Sequence, residues 1–178
     1  MRFWTSAVLA AVLALGAALP AIADVRPPQP AAPSAAPASA NAIKAFQAAV
    51  TSYNAVRKAL AADDLVAAKK AAPDIAGKAT GAGAAYPQAR AALADVANHA
   101  LKVNSAADIK AARFAFGDLS KAFITAVAMD KAFQTGLVTY RCPMAKTYQK
   151  WLQPGDEMGN PYWGAEMLKC GGKVPLVP

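Results

Sequence analysis

Between Ile43 and Val127, apolar residues recur every three or four positions, and this periodicity leaves little besides amphipathic helices open to the chain. Ile43, Phe46, Val50, Tyr53, Val56 and Leu60 trace one stripe. Asp63 or Asp64 is placed to cap a second helix, whose stripe continues through Leu65, Ala68, Ala72 and Ile75. Pro73 lacks an amide donor and crowds the preceding turn, so it should kink or end that helix. Gly77, Gly81 and Gly83 should then loosen the chain into a loop. A third helix is expected from about Pro87 to Val103, with Leu93, Val96, Ala100 and Val103 facing inward. Ser105 followed by Asp108 resembles a capping box for a fourth helix with a buried stripe of Ile109, Ala112, Phe116, Leu119, Phe123 and Val127. Alanine allows close helix approach, and Phe46, Phe116 and Phe123 are the expected large core fillers. The expected fold is all-α: an antiparallel four-helix bundle with a loop-rich Cys/Met/aromatic C-terminal cap.

Upstream of the bundle, residues 1–23 have the plan of a secretory signal peptide. Arg2 supplies the charged start, Ala7 to Leu19 the uncharged apolar run, and Ala21-Ile22-Ala23 the small-x-small processing site. Residues 24–41 are dominated by Pro and Ala, with prolines at 27, 28, 30, 33 and 37, and should form a disordered tether because they cannot bury enough surface to order. The helical domain is expected over 42–174, with its cap from about 136 and a frayed tail at 175–178. A length of 178 residues suits one domain. The expected location is the bacterial periplasm or the exterior, with no membrane span once the signal is removed. The first cysteine is Cys142, too far from the signal for lipid attachment.

Loss of Arg2 lowers the formal charge from +8 to +7. The lysines are scattered over every expected helix without a basic run or interleaved aromatics, which argues for a solvated basic surface and against nucleic acid.

From Gly136 the amphipathic period disappears, and short helical turns are expected near Lys146–Leu152 and Gly164–Cys170. Cys142, Met144, Met158, Met167 and Cys170 concentrate here: both cysteines, and three of the four methionines after the initiator. Soft sulfur donors suit monovalent copper, with silver as its analogue. Pro143 separates Cys142 from Met144 in what should be an extended segment, and Met167 and Cys170 lie one helical turn apart. His99, the single histidine, would add a nitrogen ligand if the tail packs beside the third helix. An equally direct reading pairs Cys142 and Cys170, 28 residues apart, as a disulfide in an oxidising compartment. The methionines and His99 are then packing residues, and the aromatic cap, with Trp151, Tyr162 and Trp163, covers the bundle or docks a partner. The two readings are separable: about 2.05 Å between the sulfurs marks a disulfide, and about 3.5–4 Å with Met144 or Met167 turned inward marks a pair waiting for an ion.

Nothing in the sequence supports an enzyme. There is one histidine, no Gly-rich phosphate loop and no paired carboxylates in an apolar cleft pattern, while Asp156 and Glu157 sit in a Pro-Gly turn. Covalent haem lacks its C-x-x-C-H, zinc has only three Cys/His candidates, and calcium lacks an acidic loop.

Four pieces of the tail carry a resemblance: Tyr140-Arg141-Cys142-Pro143-Met144-Ala145, Trp151-Leu152, Asn160-Pro161-Tyr162-Trp163-Gly164 and Met167-Leu168-Lys169-Cys170-Gly171. In this order they resemble a family of secreted helical domains with no assigned activity, marked by C-P-M … W-L … N-P-Y-[FYW]-G … M-L-x-C-G. Members of that family occur alone after a signal peptide and fused to periplasmic adaptor subunits of copper/silver-type heavy-metal efflux pumps. The resemblance spans roughly residues 43–174. It implies binding or delivery of a soft metal, with Cys142, Met144, Met167 and Cys170 as candidate ligands, His99 as a weaker one, and an efflux adaptor or another periplasmic metal protein as partner. The Tyr-x-Cys-Pro-Met piece also resembles a short heavy-metal motif of such adaptors. That motif continues with His after Met, where this chain has Ala145.

Overall fold

A computed structural model describes residues 36–178. The signal peptide expected at 1–23 and most of the tether lie outside the described residues.

Four helices carry the fold: α1 (Ala40–Ala61), α2 (Leu65–Ala85), α3 (Arg90–Asn104) and α4 (Ile109–Ala128). Helix α1 starts two residues before Ala42, because Ser39 accepts the Ala42 amide as its N-cap. Asp64 caps α2 through the Ala67 amide. Asp108 itself caps α4 through the Ala111 amide, and Ser105 instead closes α3, its hydroxyl donating to the Lys102 carbonyl. The Ser105–Asp108 capping box therefore does not form.

Pro73 and the three glycines do not break α2, which runs unbroken to Ala85. Pro73, Gly77 and Gly81 all face solvent, so water can satisfy the carbonyl that Pro73 leaves without a donor. The opposite face buries Ala68, Ala72, Ile75, Ala79 and Ala82. Gly83 is buried where α2 meets α3; a Cβ there would lie 3.4 Å from the Arg90 Cα. Burial of that stripe outweighs the intrinsic cost of one proline and three glycines.

Consecutive helices pack against one another, and tertiary bonds show α2 antiparallel to α3 and α4 antiparallel to α1. Lys69, early in α2, reaches the Ala106 carbonyl after α3, and Arg113, early in α4, reaches the Leu60 carbonyl at the end of α1. Between α1 and α4 the space is filled by rings: Tyr53 stacks on Phe116 and Phe123 with centroids 5.2 and 4.6 Å apart. Phe46 stacks on Phe133, which belongs to a 3-10 turn at Lys131–Gln134.

The tail corrects the all-α expectation. It holds a three-stranded antiparallel sheet of β1 (Leu137–Arg141), β2 (Lys150–Pro154) and β3 (Gly172–Lys173), in the order β2-β1-β3. The helical turn expected near Lys146–Leu152 is replaced by β2, whose Trp151, Leu152 and Gln153 are all buried. A 3-10 turn does form at Gly164–Met167. The last residues do not hang free: the Val174 amide donates to the Thr139 carbonyl, and Lys150 Nζ donates to the Val177 carbonyl. Among the described residues no helix is long and apolar enough to cross a membrane.

Bundle and cap share one core. Tyr53 of α1 shares a hydrogen bond with the Ser120 hydroxyl of α4 at 2.6 Å and accepts the Leu152 amide of β2 at 3.3 Å. One hydroxyl thus ties two helices to the sheet, and burial raises its pKa.

Candidate functional site

The sheet and the loop after it bring the two cysteines together. Cys142 directly follows β1, and its amide continues the β1–β2 ladder by donating to the Gln149 carbonyl at 2.9 Å. The Ala145 amide then donates to the Cys142 carbonyl, so Cys142-Pro143-Met144-Ala145 is a tight turn with Pro143 in its second position. This differs from the extended segment expected around Pro143, and its consequence is unequal burial. Cys142 is sealed at 0 % exposure, whereas Met144 is 48 % exposed.

Cys170 arrives by another route. The Gly164–Met167 turn is prolonged by the Cys170 amide donating to the Met167 carbonyl, one turn back as the spacing suggested. Asn160, fully buried, organises the loop around it. Its side-chain NH2 donates to the Cys170 carbonyl at 3.0 Å, its backbone amide donates to the Leu168 carbonyl, and its side-chain oxygen accepts the Tyr162 amide. Gly171 follows at φ +132°, and a Cβ there would lie 2.7 Å from the Arg141 carbonyl oxygen. Only glycine allows β3 to reach its register opposite Tyr140 and Arg141.

The Cys142 and Cys170 sulfurs therefore stand 3.4 Å apart, without a covalent bond between them. Cys170 and Met167 are half-buried. The pair rests by an aromatic layer in which Trp151 stacks on Tyr140 and meets Tyr162 edge-on. The hydrogen bond with Cys142, followed by burial, raises the Cys170 thiol above its usual range. Burial likewise holds the Tyr162 phenol protonated well above its usual range, and its hydroxyl donates to the Lys150 carbonyl. Chemically, a thiol pair at this spacing can bind a soft cation by releasing protons or can close to a disulfide by losing two electrons.

His99 lies elsewhere. It lines a groove between α3 and α4 with Asp95, Asp118, Lys121 and Met129, and no tail residue lines that groove. Its Nδ1 is buried without a partner among the described residues. Among those residues no group of three His, Cys, Asp or Glu side chains is gathered to hold a metal. Ligands beyond the two thiols would therefore be thioethers, with Met167 the methionine nearest in chain to Cys170.

The cap is fixed to the bundle by residues that local pattern does not reveal. Asp63, at φ +60° in the α1–α2 turn, accepts the Ala165 amide on Oδ2 and pairs with Arg113 through Oδ1. Arg113 also donates to the Pro161 carbonyl. Gly164, at φ +60°, has no room for a Cβ because these two side chains occupy it. The one signal in the sequence is the Asp63-Asp64 doublet, of which only one member can cap a helix.

Over residues 49–135 the chain is similar to a family described as "Protein of unknown function (DUF3347)". That segment runs from within α1 to the end of the Lys131–Gln134 turn and supports a helical domain of a family without assigned function. No curated protein and no solved structure gave a significant match.

Proposed function

We propose that this domain captures a soft monovalent metal, copper(I) or its analogue silver(I), at Cys142 and Cys170 in the periplasm or outside the cell, and passes it to an efflux adaptor or another metal protein. The observation that carries the reading is the 3.4 Å separation of the two cysteine sulfurs, one sealed in the core and the other near the surface. With metal–sulfur bonds of about 2.3 Å, that separation corresponds to an S–metal–S angle of about 95°, and an opening of about 0.4 Å reaches the tetrahedral value. The donors fit a soft ion, and the half-buried Met167 offers a thioether one turn before Cys170. Entry and hand-over would go through Cys170, with Cys142 as the fixed anchor. The role is binding, not catalysis. The resemblance of the tail to domains fused to copper/silver efflux adaptors points the same way.

The test is a free-thiol count on exported, metal-free protein, followed by titration with copper(I) under reducing conditions. Two free thiols and tight 1:1 binding that disappears in Cys142→Ser are expected. Stoichiometric binding retained by Cys142→Ser sinks the proposal.

A second reading is favoured by the same distance, because closing 3.4 Å to a disulfide takes a shift of about 1.4 Å. In that case the cysteines are a staple worth about 3 kcal/mol, and the cap is a docking surface for a partner protein. Absence of free thiols, with no copper(I) binding after gentle reduction, would select it.

A further inference from the structure

Arg57, on α1, is 6 % exposed, yet among the described residues no carboxylate lies within ion-pair distance of it. Its Nε donates to the Asn54 side-chain oxygen and its Nη1 to the Gly159 carbonyl, both at 2.7 Å and both neutral acceptors. Nη2 has no protein partner among the described residues and is left open to solvent. A guanidinium stays charged under all ordinary conditions, and a buried charge without a counter-charge is expensive. Arg113 shows the usual remedy in the same molecule, with Asp63 as its counter-ion.

The surroundings of Arg57 suggest what takes the place of a carboxylate. The side chain lines a wide-open cavity of about 580 Å³ between the C-terminal half of α1 and the loops around Met158 and Leu168. That volume lies within the range of small-molecule sites. Lys58 and Lys169 add two cations, and Ala61, Met158 and Leu168 add apolar wall. Glu157 is the one acidic lining residue; its side chain is 96 % exposed and stands 3.8 Å from Lys169, on the rim. Gly159 leaves room for the guanidinium, because a Cβ there would lie 2.7 Å from Nη1. Burial also lowers the Arg57 pKa, the direction expected of a cation lacking a counter-charge.

We propose that this cavity binds a small organic anion with a carboxylate head and a short apolar body. The carboxylate pairs with the open side of the Arg57 guanidinium, whose planar fork matches two oxygens, and the body lies against Met158 and Leu168. The site is separate from the cysteine pair and does not depend on metal binding.

The experiment is calorimetric titration of the full chain with sodium hexanoate, with inorganic phosphate and sodium chloride at matched ionic strength as the comparison arms. Saturable binding of hexanoate is expected, with phosphate weaker and chloride giving no saturable heat. Arg57→Lys keeps the charge but loses the fork, and should weaken hexanoate binding about tenfold. Lys58→Met, an exposed change that leaves the core intact, should weaken it about threefold, and Glu157→Gln should strengthen it. Hexanoate heats no different from chloride, or an unchanged affinity in Lys58→Met together with a folded Arg57→Lys, would overturn the proposal. Preference for phosphate over hexanoate would overturn the assignment of a carboxylate.

Discussion

Asn160 donates from its side-chain NH2 to the carbonyl oxygen of Cys170 at 3.0 Å, and through this bond a buried amide sets where the second thiol stands. The same side chain holds the Tyr162 amide. Asn160→Ala would strand a buried amide and a half-buried carbonyl, so it should cost about 1–3 kcal/mol in denaturant unfolding. It should also release Cys170 from Cys142, so that alkylation of Cys170 quickens under native conditions. Wild-type alkylation rates in a folded Asn160→Ala protein would show that the β1–β3 ladder alone positions the pair.

The thiols themselves give a pH prediction. The Cys170 proton is held above its usual range by the Cys142 hydrogen bond, so a metal must displace it. Apparent copper(I) affinity should rise with pH through the thiol range and level off above the raised Cys170 value. In Cys142→Ser this dependence should vanish together with the binding. A competition titration between pH 6 and 10 measures it.

Asp63 links stability to acid. The Ala165 amide, and after it Arg113, lowers its carboxyl below 3.8 in the folded protein. The stabilisation is fully present above the unfolded value of 3.8 and is lost as pH falls through the lower folded value. Because the side chain is half-exposed, Asp63→Asn should cost only about 1 kcal/mol at neutral pH. The difference in Tm between variant and wild type should shrink as the pH falls below 4. A constant difference down to strong acid would show that the Asp63 charge contributes nothing.

Gly117 on α4 faces the Thr147 side chain so closely that a Cβ would overlap it. Gly117→Ala should destabilise by about 1–3 kcal/mol despite the better helix propensity of alanine. Combined with Thr147→Ala, the cost should shrink without reversing, because the Cβ of residue 147 would still lie 2.9 Å from the new one. A double-mutant cycle that is simply additive would place the two residues out of contact.

Pro73 occupies a solvent-facing position inside α2. Pro73→Ala restores an amide donor and should stabilise the protein by about 1–3 kcal/mol, read as a rise in Tm. An unchanged or lower Tm would mean that the native helix is shaped around the ring.

Pro73 also shows where sequence reading succeeds and where it stops. The buried stripes Leu93-Val96-Ala100-Val103 and Ala112-Phe116-Leu119-Phe123-Val127 are visible because a helix repeats its inward face locally. The cost of a proline is equally local, but whether a helix tolerates it depends on which face it occupies and on what the other face buries. Strand β2 escapes for a related reason: Trp151, Leu152 and Gln153 are buried in succession, so no alternation marks a strand. At the candidate site, two cysteines in one tail are readable. Their 3.4 Å separation is not, because it depends on a two-residue strand, the conformation of Gly171 and the reach of Asn160. Arg57 looks like any helix-surface arginine until Gly159 closes over it, 102 residues away in sequence.

The Tyr53 hydroxyl, shared between Ser120 of α4 and the Leu152 amide of β2, bears on what can be inherited as a unit. A chain ending near Thr135 would keep all four helices but would lose the amide that Tyr53 accepts and the Tyr162 ring packed edge-on against Phe116. The exposed aromatic seam would favour self-association over a soluble bundle. A gene fusion that moved this domain onto another protein would have to carry the sheet with the helices, so that the cysteine pair travels with the bundle for a reason independent of any ligand.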